Sequence, residues 1–219
     1  MSDDQAQTLA GGIAGGELPL EQVAWLRKRL LLKAALAEQR LRQFDALLQY
    51  DHRLTEPGQW LPEREVTSMP ALTIRDCVRS AGSDIHRMFE SAERQAARHG
   101  MRTRHSPFLL LHDMEYRQPH TDVEVCVPMT PESLGAPGVR LIEPMARAAC
   151  ISFCGSYEQA PVLLEAALQG MQGTDTRIAG PIREVYLRFG ADQRGYTLDP
   201  SVLTDNVGQY RTELQIPIR

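Results

Sequence analysis

Residues 122–129, "DVEVCVPM", read as a β-strand, and residues 211–218, "RTELQIPI", repeat its grammar. Both run acid, apolar, any residue, apolar, proline, apolar. Side chains of an extended chain alternate between two faces. Val123, Val125 and Val127 therefore share one face of the first stretch, and Asp122, Glu124 and Cys126 the other. In the second, Tyr210, Thr212, Leu214, Ile216 and Ile218 form the apolar face. Arg211, Glu213 and Gln215 form the polar one, where Glu213 is expected to be solvated and paired with a nearby arginine.

The segments leading into these two strands repeat as well. Residues 64–78 read as a strand marked by Val66, Leu72, Ile74 and Val78. Residues 82–100 read as a helix with Ser83 as cap, a stripe of Ile85, Met88, Phe89 and Ala92, and Gly100 as its end. Residues 106–113, "SPFLLLHD", form the next strand, with His112 and Asp113 as a turn pair. The second round gives a strand at 147–155 and a helix at 156–173 striped by Val162, Leu163, Ala166 and Ala167. Strands at 183–189 and 210–218 follow. The expected fold class is α+β: a duplicated β-α-β-β unit forming a curved antiparallel sheet with two helices, plus a long N-terminal helix. Two twisted half-sheets leave a groove at their seam.

Ahead of the repeat, residues 1–18 read as a flexible lead-in and 19–54 as one long helix that Pro19 opens. Leu30, Ala34, Ala37, Leu41, Phe44 and Leu48 recur at alternating steps of four and three, the spacing of a coiled-coil seam. "TEPGQWLP" at 55–62 ends the helix and sets the domain boundary.

Composition narrows the function classes. Of 219 residues 42% are hydrophobic and 24% charged, a globular mix, and the net charge of -4 disfavours a nucleic-acid face on this chain. No apolar run approaches the ~18 residues of a membrane span. The acidic start lacks the features of a secretory signal, so a cytoplasmic protein is expected. Cys77, Cys126, Cys150 and Cys154 form no CxxC pair and are expected to be buried reduced thiols. No His/Cys cluster has ligand spacing, and neither a GxSxG nor a phosphate loop is present, so no metal or cofactor is expected.

One residue stands out. In "GPIREVYLRF", residues 180–189, Glu184 shares a strand face with Ile182 and Tyr186. A carboxylate there belongs either at the rim of the sheet or in a pocket that requires a negative charge.

The blocks "SPFLLLHD", "DVEVCVPM", "ARAACISFCGSYE", "GPIREVYLRF" and "YRTELQIPIR", in this order over residues 62–219, resemble the GyrI-like effector-binding domain. The helix at 19–54 resembles the linker helix of MerR-type regulators, without the winged helix-turn-helix that precedes it there. The resemblance implies a binding module for lipophilic, cationic aromatic small molecules. Such a module serves either as the sensing part of a transcriptional regulator or as a stand-alone drug-binding protein. It makes Glu184 the charge-selecting acid, Tyr210 and Tyr186 its hydrogen-bonding candidates, and Tyr157, Phe153 and Leu110 lining residues. DNA contact is expected only where a helix-turn-helix is supplied elsewhere. The alternative that the resemblance offers is a hydrolase of cyclopropane-containing genotoxins with Glu184 assisting water. It further implies a homodimer through residues 19–54. Changing Leu41 and Phe44 to polar residues is expected to shift the protein towards monomer in analytical ultracentrifugation, and an unchanged dimer would place the interface elsewhere.

Overall fold

The computed structural model describes residues 23–25, 27–31, 61–79, 82–113, 120–171 and 175–219. Its elements are β1 (Glu63–Val66), β2 (Met69–Val78), α1 (Ser83–His99), β3 (Phe108–Leu111), β4 (Thr121–Pro128), β5 (Val139–Ile142), β6 (Met145–Cys154), α2 (Ala160–Met171), β7 (Ile182–Arg188) and β8 (Arg211–Pro217). The N-terminal unit is helical at 23–25 and 27–31. The lead-in at 1–18, the heptad seam from Ala34 to Leu48 and the rest of the expected helix lie outside the described residues. No helix among the described residues is long and apolar enough to cross a membrane.

The eight strands form one sheet in the order β1-β6-β8-β7-β3-β4-β2-β5, and every pairing is antiparallel. The seam between the two repeats is the β3–β7 pair, with Leu109 opposite Glu184 and Leu110 opposite Arg183. Each repeat is longer than its sequence suggested. The expected strand at 64–78 is divided by Thr67 and Ser68 into β1 and β2, and β5 precedes β6 in the same way.

These short additions decide the shape of the sheet. β1 stands at one end of the strand order and β2 near the other, yet two residues join them; Glu143 and Pro144 join β5 to β6 likewise. Three Cα steps span at most about 10–11 Å. The two ends of the sheet must therefore approach one another, and the sheet curls towards a barrel. In doing so the repeats trade edge strands. β1 belongs to the first repeat and pairs with β6 of the second, while β5 belongs to the second and pairs with β2 of the first.

Curling buries the inner face without a helix. Ala71, Phe108, Leu110, Cys126, Ile142 and Val185 form one cluster there, and Val66, Met145, Ala148 and Cys150 another. Arg183, on the same face, places its guanidinium 4.5 Å from the centre of the Phe108 ring. The outer face carries Leu72, Leu109, Leu111, Val123, Val125, Val127, Ile182, Leu214 and Ile216, all fully buried. α1 packs on that side against β2 and β4. Its buried residues are Ile85, Met88, Ala92 and Ala96 together with Glu90 and Glu93. Gly100 ends it in the left-handed region at φ 67°, where a glycine carries no steric penalty.

Four expectations are corrected by the curl and by local geometry. Glu213 is not solvated: the "polar" face of β8 points into the curled sheet, where Arg64, Gln215 and Ser152 bond its carboxylate. Cys77 and Cys154 are exposed, because each lies near the end of a strand, whereas Cys126 and Cys150 are buried. Ser83 is the first helical residue and Gly82 holds the cap position without a side-chain bond. The buried stripe of α2 is Ala160, Leu163, Leu164 and Ala167, because a 3-10 turn at Tyr157–Gln159 sets where the helix begins.

The traded strands each carry an arginine at their second position. Arg140 of β5 reaches across β2 to Glu124, with bonds of 2.8 and 2.7 Å to its two oxygens, and His112 adds a third at 3.0 Å. Arg64 of β1 reaches across β6 to Glu213 in the equivalent way. Burial raises the Glu124 carboxyl, but hydrogen bonds from Arg140 and His112 outweigh it and hold the group below its ordinary value. A carboxyl depressed in the folded state contributes stability above its unfolded pKa and loses it as pH falls through the folded one. Glu124→Gln is expected to cost about 2–4 kcal/mol at neutral pH and to flatten the loss of stability on acidification below about pH 4.5, measured by urea unfolding across pH. Asp122→Asn, which breaks the exposed Arg75 pair, is expected to cost less than about 1 kcal/mol.

Candidate functional site

On the outer face, beside the seam, four aromatic rings touch in sequence. Phe89 of α1 meets Tyr186 of β7 edge-on at 5.3 Å. Tyr186 meets Tyr157, at the entry to α2, edge-on at 5.2 Å. Tyr157 stacks on Tyr210 at 5.0 Å with an interplanar angle of 23°. The row joins both repeats, since Phe89 comes from the first and the tyrosines from the second.

Glu184 lies beneath this row on the same face of β7 and is 3% exposed. Strand alternation places it between Ile182, fully buried, and Tyr186, 8% exposed. The Tyr186 phenol interacts with the Glu184 carboxyl group beside it on the strand. Burial first, then the Glu184 charge, push the Tyr186 phenol well above its ordinary value. Burial again dominates at Tyr157, whose phenol is raised further by Tyr210 and Glu184. Both rings therefore remain neutral donors beside a carboxylate at any physiological pH.

The long connection from β7 to β8 forms one side of the site. It is fastened to α1 by Glu90, a buried carboxylate that accepts from the Tyr196 hydroxyl and from the Asp192 N–H. Its two ends meet: Phe189 bridges Leu203, and the Tyr210 hydroxyl lies against Gly190, where a Cβ would stand 2.6 Å from that oxygen. Gly190 thus lacks a side chain where the Tyr210 ring needs the room.

Of the residues expected at the site, Glu184, Tyr186, Tyr157 and Tyr210 come together as described. Phe153 lies on the same outer face, opposite Thr212, which is in turn opposite Tyr186. Leu110 does not belong with them. It pairs with Arg183 and points into the inner cluster, so its neighbour Leu109, opposite Glu184, holds the outer position. A one-residue difference in register exchanges the two faces, and "FLLL" contains no polar residue to mark which leucine faces which way. Phe89, Glu90, Gly190 and Thr212 were not anticipated as site residues. Phe89 was visible as part of a helical stripe, but nothing in one chain's letters said that α1 would cross to the second repeat.

The arrangement offers one buried carboxyl group bordered by ring faces and phenolic hydroxyls. Ring faces carry negative electrostatic potential and favour a cation, as the carboxylate does. An anion placed here would meet both as repulsion.

No family profile matches the chain, and no curated protein sequence does. Solved structures do. The C-terminal domain of EcmrR superposes with a TM-score of 0.56 at 19% identity, over 72% of this chain and 96% of that one. The chain shares its fold with that domain. EcmrR in complex with DNA matches with a TM-score of 0.62 at 16% identity, over 100% of this chain and 84% of EcmrR. Both EcmrR matches fall at identities where fold alone is shared. SAV2435 bound to tetraphenylphosphonium is a more distant match, at a TM-score of 0.46 and 10% identity over 73% of this chain and 93% of that one.

The Gly190–Tyr210 contact is open to a double-mutant cycle. Gly190→Ala is expected to cost about 1–3 kcal/mol by overpacking. It should cost markedly less in a Tyr210→Phe background, which removes the oxygen that the new methyl meets; equal costs in chemical denaturation would mean that Tyr210 is not positioned by this contact.

Proposed function

We propose that the Glu184 site binds lipophilic, cationic aromatic small molecules. On this reading the chain is a GyrI-like effector-binding module, preceded by a MerR-type dimerisation helix at 19–54. The observation that carries the proposal is a carboxyl group 3% exposed, interacting with the Tyr186 phenol and bordered by a row of aromatic rings where the two repeats meet. A buried charge of this kind is costly unless something compensates it. The neighbouring phenols supply part of the compensation, and a cationic guest supplies more. The ring walls select by shape only loosely, whereas the charge excludes anions, so broad specificity with a strict charge rule follows. The fold shared with EcmrR, a protein seen in complex with DNA, supports placing this module in a transcription regulator. DNA contact would then come from a helix-turn-helix supplied elsewhere.

Tyr186, Tyr157, Tyr210 and Phe153 are assigned as ligand-contacting residues alongside Glu184. Glu184→Gln keeps the shape and the hydrogen-bond acceptor and removes the charge. It is expected to weaken binding of a lipophilic cationic dye by about tenfold or more, roughly 1.4 kcal/mol, while affinity for a neutral aromatic of similar size stays within about twofold. Equal losses for both would end the charge-selection reading. Mass spectrometry of the incubated ligands separates the binder from a hydrolase: the binder returns them intact, and a hydrolase returns them with water added.

A further inference from the structure

We infer that the Thr212 hydroxyl is a second polar anchor of the same site, taking the hydrogen-bonding group of a cationic guest. This rests on the proposed reading of the Glu184 site. Thr212 lies on β8 with Tyr186 opposite it on β7 and Phe153 opposite it on β6, so its side chain stands on the outer face between two residues of the site. It is 1% exposed, and its Oγ1 is buried without a hydrogen-bond partner among the described residues.

That is an unusual state for a threonine. A buried hydroxyl normally finds a partner, and one left without is destabilising. Valine would fill the same volume with no polar atom to desolvate. The other orphaned atoms belong to side chains with more than one polar atom, Arg183 and Arg188 among them. Glu90 and Gln215 are each bonded through their other polar atom, to Tyr196 and Glu213 respectively. The hydroxyl is Thr212's single polar side-chain atom, and the residues opposite Thr212, Tyr186 and Phe153, carry aromatic rings.

A guest held by Glu184 can satisfy it. The lone pairs of Oγ1 accept an N–H, and the carboxylate nearby favours a positive charge, so the two together suit a protonated aromatic amine. A quaternary or tetraaryl cation carries the charge but has no N–H to give. The site therefore distinguishes two kinds of lipophilic cation that Glu184 alone would treat alike.

The test uses two probes on the whole chain: proflavine, a planar cation with several N–H groups, and tetraphenylphosphonium, which has none. Thr212→Val is expected to leave the thermal midpoint unchanged or raise it. It should weaken proflavine about tenfold and shift tetraphenylphosphonium by less than about twofold, and Thr212→Ser should retain proflavine binding. A lowered thermal midpoint in Thr212→Val would show that the hydroxyl is bonded within the fold and overturn the inference. So would equal effects on both probes, or no effect on either. Glu184→Gln, measured in parallel, tells the two readings apart. If it weakens both cations while Thr212→Val changes neither, charge selection stands and the anchor falls. If wild-type protein binds neither probe, both fall together.

Discussion

Two connectors of two residues each govern this structure. Thr67–Ser68 and Glu143–Pro144 join strands from opposite ends of an eight-stranded sheet. Chains that short cannot cross an open, flat sheet, so the sheet curls until its ends face one another. The inner face then needs no helix to exclude water, and both faces of the central strands become interior. Trading of edge strands follows from the same connectors. Each half is completed by a strand of the other, and an arginine reaching a buried glutamate fastens each exchange: Arg140 to Glu124, and Arg64 to Glu213. Neither half contains all the parts of its own sheet.

The site depends on this arrangement because it lies where the halves meet. β7 is central in the strand order, so Glu184 is far from any edge at which water could reach a carboxylate. α1 covers the first half yet delivers Phe89 to Tyr186 in the second. The β7–β8 connection closes the far side, tied down by Glu90 and brought close at its ends by Gly190 and Tyr210. The duplication supplies the scaffold, and the departures from it supply the chemistry. The strand facing β7 across the seam presents Leu109 where β7 presents Glu184, so the acid stands on one side of the seam only.

The buried acids keep different company, and Glu90 serves the fold through the Tyr196 hydroxyl and the Asp192 N–H. Glu124, Glu213 and Glu93 meet arginines and serve the fold. Glu184 lies beside the Tyr186 and Tyr157 phenols.

The amino-acid sequence by itself determined the repeat, the antiparallel strand class, the two helices and the shared strand face of Ile182, Glu184 and Tyr186. Those features are local: alternation along 122–129 and 211–218, a helical stripe at Ile85 and Met88, and a glycine stop at Gly100 are written within a few residues of one another. Only the tertiary structure decided that Glu213 is interior, that Leu109 and not Leu110 lies beside Glu184, and that Phe89 and Thr212 join the site. Each of these depends on which strands become neighbours and which way the sheet curls. Periodicity tells that two faces exist, but packing between residues distant in sequence decides which face meets water, which meets a helix and which meets the opposite wall of the same sheet.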